Sequence, residues 1–324
     1  VTSQALHQND LFNRREPVEL ALARPGLPEK AKAGLLASRR ILDFARAEGL
    51  NADGAYRYFI QTSEPVVSYL VQAAEPDRLK FVTWWFPVVG RVPYLGFFAK
   101  ADRDAKAAEL KAAAYDVHEG GAGAFSSLGW FEDPLFTSMV GRGEAELAHL
   151  LFHELTHRTF WAPGSVEFNE NLAEYVAWLV TTRYLEHHDL GALKARYDGR
   201  LADRVVFKAW LKGLKADLTA LYANPEKRPR SEILAMKAQT FARHLAPPLR
   251  PKFAVVDYIG DEEWNNAAVL AAGLYAPDLD RFARAHRCLG QKGARAFLDA
   301  LRDRAAARDG EDLFVVLDGF CRKG

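Results

Sequence analysis

His153-Glu154-Leu155-Thr156-His157, followed after 12 intervening residues by Glu170 in Phe168-Asn169-Glu170-Asn171-Leu172-Ala173-Glu174-Tyr175, decides how this chain folds. On a helix, positions i and i+4 share a face, so His153 and His157 can reach a single ion. Ala145, Leu147, Ala148, Leu150 and Leu151 predict a helix running into the pair, entered flexibly through Gly141 and Gly143. Glu170 and Glu174 stand one turn apart on a second predicted helix, which the Pro163-Gly164 turn folds back against the first. Two His and one carboxylate form the ligand set of a zinc ion with an open fourth position. The expectation is one Zn2+ per chain on His153, His157 and Glu170. Glu154, on the cleft side, is then placed to polarise a water. Glu174 is placed to accept a hydrogen bond from the ring N–H of a ligating His.

The neighbouring candidates fit less well. His149 shares the His153/His157 face, but eight residues at 1.5 Å each put it about 12 Å from His157 along the axis. With zinc–nitrogen bonds of about 2.0–2.1 Å, all three cannot hold one ion, so His149 reads as a core residue or one behind the ligands. A third His in an HExxHxxGxxH pattern is excluded, because Phe160 and Pro163 occupy the Gly and His positions. His187-His188 reads as a solvated helix end. Glu167 rivals Glu170 but has no partner one turn on.

At these residues the chain resembles a known group. HExxH followed by Asn169-Glu170-x-x-Ala173-Glu174 is the gluzincin pattern. More narrowly, the sequence resembles the bacterial family of predicted aminopeptidases. Its segments match Trp84-Trp85-Phe86-Pro87-Val88-Val89-Gly90, Ala124-Phe125-Ser126-Ser127-Leu128-Gly129-Trp130-Phe131-Glu132-Asp133-Pro134, the metal helix, Phe168-Asn169-Glu170 and Trp264-Asn265-Asn266-Ala267. The resemblance implies a zinc metallopeptidase acting on peptides, with Asn169 beside the ligands. It also implies an extracytoplasmic, periplasmic and lipid-anchored bacterial setting. Two departures stand out: the gap from His157 to Glu170 is shorter than in well-studied gluzincins, and Trp85 and Arg91 stand where family members are expected to carry Cys.

Outward from the metal segments, residues 1–28 are polar, with Pro17, Pro25 and Pro28, and predict an extended arm before a single domain over 29–324. Glu29–Glu48 has helical periodicity, with Leu35, Leu36, Ile41, Leu42 and Phe44 on one face and Gly49 as its stop. Tyr56–Gln72 reads as strands. Phe81–Phe98 is rich in aromatics and reads as a small satellite core ahead of a substrate pocket. Residues 100–114 predict a surface helix, followed by strands at Tyr115–Glu119 and Gly123–Leu128 broken by Gly120-Gly121-Ala122. Beyond Glu144 the pattern is helical. The fold class is therefore α+β, mainly helical: a small sheet in the N-terminal half packed on the HExxH helix (strand-containing part 29–142), then a helical part over 143–324.

Net charge is +1 over 324 residues, which gives no global field towards nucleic acid or a membrane. The expected partner is a peptide. An N-terminal anchor lost before Val1 is the one route to a membrane. Cys288 and Cys321 read as free thiols, or as one bridge in an oxidising compartment. Gly121–Leu128, including Ala124, Phe125, Ser126 and Ser127, is a candidate edge strand on which a peptide backbone could pair. Glu132 and Asp133 are candidates to hold a substrate amine, with solvated turn charges the plainer reading. Tyr275, and behind it Tyr258, are candidate oxyanion donors, with core packing the commoner fate.

Overall fold

Helical periodicity dominates the chain, and the computed structural model turns most of it into helix. It describes residues 14–62, 68–86, 90–97, 99–122, 133–261, 263–274, 279–290, 293–308 and 310–321. The fold is α+β and mainly helical, with sheets of only two or three strands. The chain divides into two compact units that interleave in sequence.

The unit that carries HExxH comprises Asn9–Pro65, Ala124–Lys194 and Pro277–Gly324. Strand β1 (Glu16–Pro17) pairs antiparallel with β2 (Tyr58–Ile60), and β2 pairs parallel with β8 (Leu135–Phe136). The expected extended arm is therefore built into the fold from residue 16 onward. Pro17 leads straight into helix α1 (Val18–Ala23), whose Val18 and Ala21 are buried. Helix α2 (Glu29–Ala47) buries Leu35, Ile41 and Leu42, whereas Leu36, expected on the same face, is exposed. Gly49, in the left-handed region at φ +80°, closes α2 by donating to the Arg46 carbonyl. At Gly34 the helix packs so closely on α4 (Thr137–Val140) that a Cβ would strike the Val140 carbonyl. Helices α5 (Glu144–Thr159) and α6 (Val166–His187) follow. The unit ends with α10 (Leu279–Cys288), α11 (Ala294–Ala306) and α12 (Leu313–Asp318). Phe168 and Tyr175 of α6 pack on Phe282 of α10, and Tyr175 also meets Phe297 of α11. Cys288 and Cys321 form a disulfide, their Cα atoms 5.3 Å apart.

The other unit includes Val66–Gly123 and Ala195–Ala276. Its sheet runs β6 (Leu95–Phe97), β3 (Ser68–Ala74), β7 (Asp116–Ala122), antiparallel throughout. Gly120-Gly121-Ala122 does not break the strand as expected. These residues continue the β7 ladder opposite Leu70, Tyr69 and Ser68, because the ladder outweighs the roughly 0.5–1 kcal/mol cost of glycine. Strands β4 (Trp84–Phe86) and β5 (Gly90–Val92) form a hairpin. Trp84, Leu95 and Phe97 pack on Val71, Ala73 and Val117 together with Ala107 and Leu110 of α3 (Lys100–Ala112). Trp84 and Phe97 thus join the satellite core expected, whereas Trp85 and Tyr94 are exposed. Helices α7 (Gly191–Tyr222, its first turn in the other unit), α8 (Arg230–Leu245) and α9 (Asn266–Leu274) complete it around Trp210, Leu214, Leu218, Phe241 and Val269. Asn266 is fully buried. Its amide donates to the Glu75 and Arg78 carbonyls and its carbonyl accepts from the Tyr222 hydroxyl. Asn265 donates to the Val117 carbonyl, so the Asn-Asn pair is a structural hub. The split at 142/143 follows sequence order, while the compact units follow strand pairing, which joins 58–60 to 135–136 and 68–74 to 116–122.

Candidate metal centre

Helix α5 starts at Gly143, whose φ of +112° suits glycine. Glu144 and Glu146 lie in its first turn and His157 and Arg158 in its last, matching the helix dipole. It buries Leu147, Leu151, Phe152 and Leu155, which fixes the opposite edge carrying His153 and Glu154. Its C-terminal end is clamped: Asn51 N–H donates to Thr159 Oγ1, Arg158 to the Asp53 carbonyl, and Arg302 to the Thr159 carbonyl. Helix α6 is apolar on most sides along its middle and buries Leu172, Ala173, Val176 and Val180.

The turn between the two helices is held by one side chain. Asn169, 1% exposed, accepts from the Ala162 N–H at 3.0 Å and donates to the Ala162 carbonyl at 2.8 Å. This double bond seats the residue next to Glu170 on the connecting loop, which explains how the short gap from His157 closes.

His153 Nε2 and His157 Nε2 lie 3.2 Å apart, Glu170 Oε2 lies 3.4 Å from His153 Nε2, and Glu170 Oε1 lies 3.4 Å from His157 Nε2. Two atoms held about 2.05 Å from a tetrahedral ion lie roughly 3.3 Å apart, and each of these three pairwise spacings is close to that value, so the three side chains converge closely enough to share one ion. Among the described residues no fourth His, Cys, Asp or Glu joins the group. The Glu170 side chain is 42% exposed, which leaves the centre open on that side. Glu167, its rival, is exposed and outside the group.

Glu174 Oε2 lies 3.4 Å from His153 Nδ1 and 3.2 Å from His149 Nε2. His149 therefore sits behind Glu174, one layer further from the centre. The Nδ1 of His157 is buried with no hydrogen-bond partner among the described residues. Burial pulls His153 down, but the Glu170 and Glu174 carboxylates outweigh it and hold its pKa above the ordinary histidine value. His157 is lowered, by burial and then by the charge on His153. Burial raises Glu170, yet the two imidazoles prevail and keep it below the usual carboxylate range. A carboxylate at each ring nitrogen of His153 thus favours its positively charged form.

Glu154 is half-buried beside the group. Tyr56, unforeseen in the sequence, is buried at φ 57°, its N–H on the Asp133 carbonyl. Its hydroxyl is pushed well up by burial, then by the negative charges of Glu154 and Asp133. No sequence pattern marks it. Asp133 is 1% exposed, so it is not a solvated turn charge. Tyr258 packs on Phe207 and Phe253, in the other unit. His187 and His188 meet Phe44 with their rings tilted at 45° and 57°. Ala124, Phe125, Ser126, Ser127, Glu132 and Tyr275 lie outside the described residues.

A family model described as "Putative aminopeptidase" matches residues 1–312. The chain belongs to this family. Membership supports peptidase-like activity in general. No curated protein and no solved structure matches the chain significantly.

Proposed function

We propose that this family member is a zinc-dependent peptidase, an aminopeptidase acting on small peptides, with His153, His157 and Glu170 as ligands. The observation that carries the reading is the convergence of two imidazole nitrogens 3.2 Å apart with a carboxylate that brings one oxygen to 3.4 Å from each, a donor set that suits zinc. A zinc ion held there supplies a Lewis acid and lowers the pKa of a water to around 7. Glu154, outside the group, takes the proton from the attacking water and passes it to the leaving amine. Glu174 orients His153 through Nδ1. A purely structural zinc closes with four protein ligands, and the open Glu170 side speaks against that reading. The oxyanion role stays assigned to Tyr275, and backbone pairing to Ala124–Ser127. The disulfide supports an oxidising, extracytoplasmic setting. No helix among the described residues is long and apolar enough to cross a membrane.

The test is metal analysis of purified protein together with digestion of short peptides carrying free or acetylated N-termini. About one zinc per chain and cleavage of the free-amine series alone are expected. Cleavage of both series makes it an endopeptidase. Protein purified with no zinc and unable to take it up overturns the reading.

A further inference from the structure

Resting on that reading, we infer that Trp161 forms the wall of a side-chain subsite beside the metal centre, and that the substrates are peptides with an apolar or aromatic residue next to the cut bond. The Trp161 ring stands 5.5 Å from the His157 ring at 74°, an edge-to-face contact with a residue of the donor group. Yet the residue is 37% exposed, the one exposed large aromatic among the described residues of its unit. Phe168, Tyr175, Tyr184, Phe282 and the other large rings there are buried or partly so.

This exposure is not slack in the loop. Phe160, just before, is 8% exposed and packs on Phe168 at 6.4 Å. Ala162, just after, is held at both backbone groups by Asn169. The indole is thus held at both flanks and meets His157 edge to face, with more than a third of its surface exposed. Apolar surface left in water costs about 25 cal/mol per Å², and covering it rewards an apolar side chain over a small or charged one. Because Asn169 precedes Glu170, the same dipeptide seats one metal ligand and the segment carrying this wall.

The experiment uses the zinc-loaded full chain with glycine, leucine, phenylalanine and aspartate hydroxamates, which share a chelating head and differ in side chain. Calorimetric titration should show the leucine and phenylalanine compounds binding at least about tenfold more tightly than the glycine and aspartate ones, the scale of apolar-pocket discrimination. Trp161→Ala should bring those ratios near one while zinc content and glycine hydroxamate affinity stay unchanged. Trp161→Phe should keep most of the preference. Trp161→Gln, which keeps bulk against His157, should lose it, and covers the case in which the alanine variant loses zinc. Wild-type ratios in both Trp161→Ala and Trp161→Gln overturn the subsite. Peptide digestion separates the two readings. If the wild type cuts nothing but hydroxamate preference depends on Trp161, the subsite stands and the peptidase reading falls. If the alanine variant cuts with unchanged side-chain preference, the subsite falls alone.

Discussion

Glu174 touches two imidazoles at once, which makes its removal a graded test of the metal centre. Its Oε2 lies 3.4 Å from His153 Nδ1 and 3.2 Å from His149 Nε2, and the residue is 8% exposed. Glu174→Gln keeps an oxygen able to face His153 but removes the charge, and its amide no longer suits both rings. Glu174→Ala removes both contacts. Partners of this kind contribute about 10–100-fold to metal affinity, or about 1.4–2.7 kcal/mol. The glutamine variant should fall near the lower end and the alanine variant near the upper. His149→Gln, which reaches the centre through Glu174, should cost less than either. Competition with a chromophoric chelator at fixed pH measures the three constants. Wild-type affinity in both Glu174 variants refutes the assignment, as does a His149 effect larger than that of Glu174→Ala.

Further outcomes follow from the same geometry. Glu154→Gln should keep zinc and lose about 10²–10⁴-fold in peptide cleavage, and a variant as fast as wild type removes the proposed base. Glu170→Gln should lose most of its zinc while Glu167→Gln keeps it, and the reverse pattern in metal analysis means the ligand register is wrong. At neutral pH zinc must displace the proton that the carboxylates keep on His153, whose pKa in the metal-free fold is raised. About one proton should therefore leave per zinc, and affinity should rise about tenfold per pH unit from neutrality until that raised value is passed. Calorimetry in buffers of different ionisation enthalpy reads the proton directly, and binding without release contradicts the sign.

The grouping of His153, His157 and Glu170 was legible because its information is local. His153 and His157 are related by helix period, and so are Glu170 and Glu174, and that period survives in the fold. The axial distance that kept His149 off the ion still left room for it behind Glu174, which spacing along one helix could not reveal. Trp161 and Tyr56 lie outside the helices and strands, where no period marks them, and their placement depends on Asn169 and Asp133 from other segments. Strand pairing was the least legible. Glycines that favour a break in isolation continue a seven-residue ladder once Ser68–Ala74 lies alongside. The cysteine pairing is likewise set by how α10 and the chain end meet, not by the spacing of two residues.

The interleaving of the two units bears on the order in which the protein is made. Helices α5 and α6 leave the ribosome together, but the rings that cover α6 at Phe168 and Tyr175 belong to Phe282 and Phe297. All of Ala195–Ala276 must be synthesised before those arrive. Contacts of such long sequence separation form late. A nascent chain therefore carries its histidines and glutamates long before the scaffold that holds them to tenths of an ångström is complete. The cluster on α5 and α6 lacks that cover until the segment Pro277–Gly324 is made.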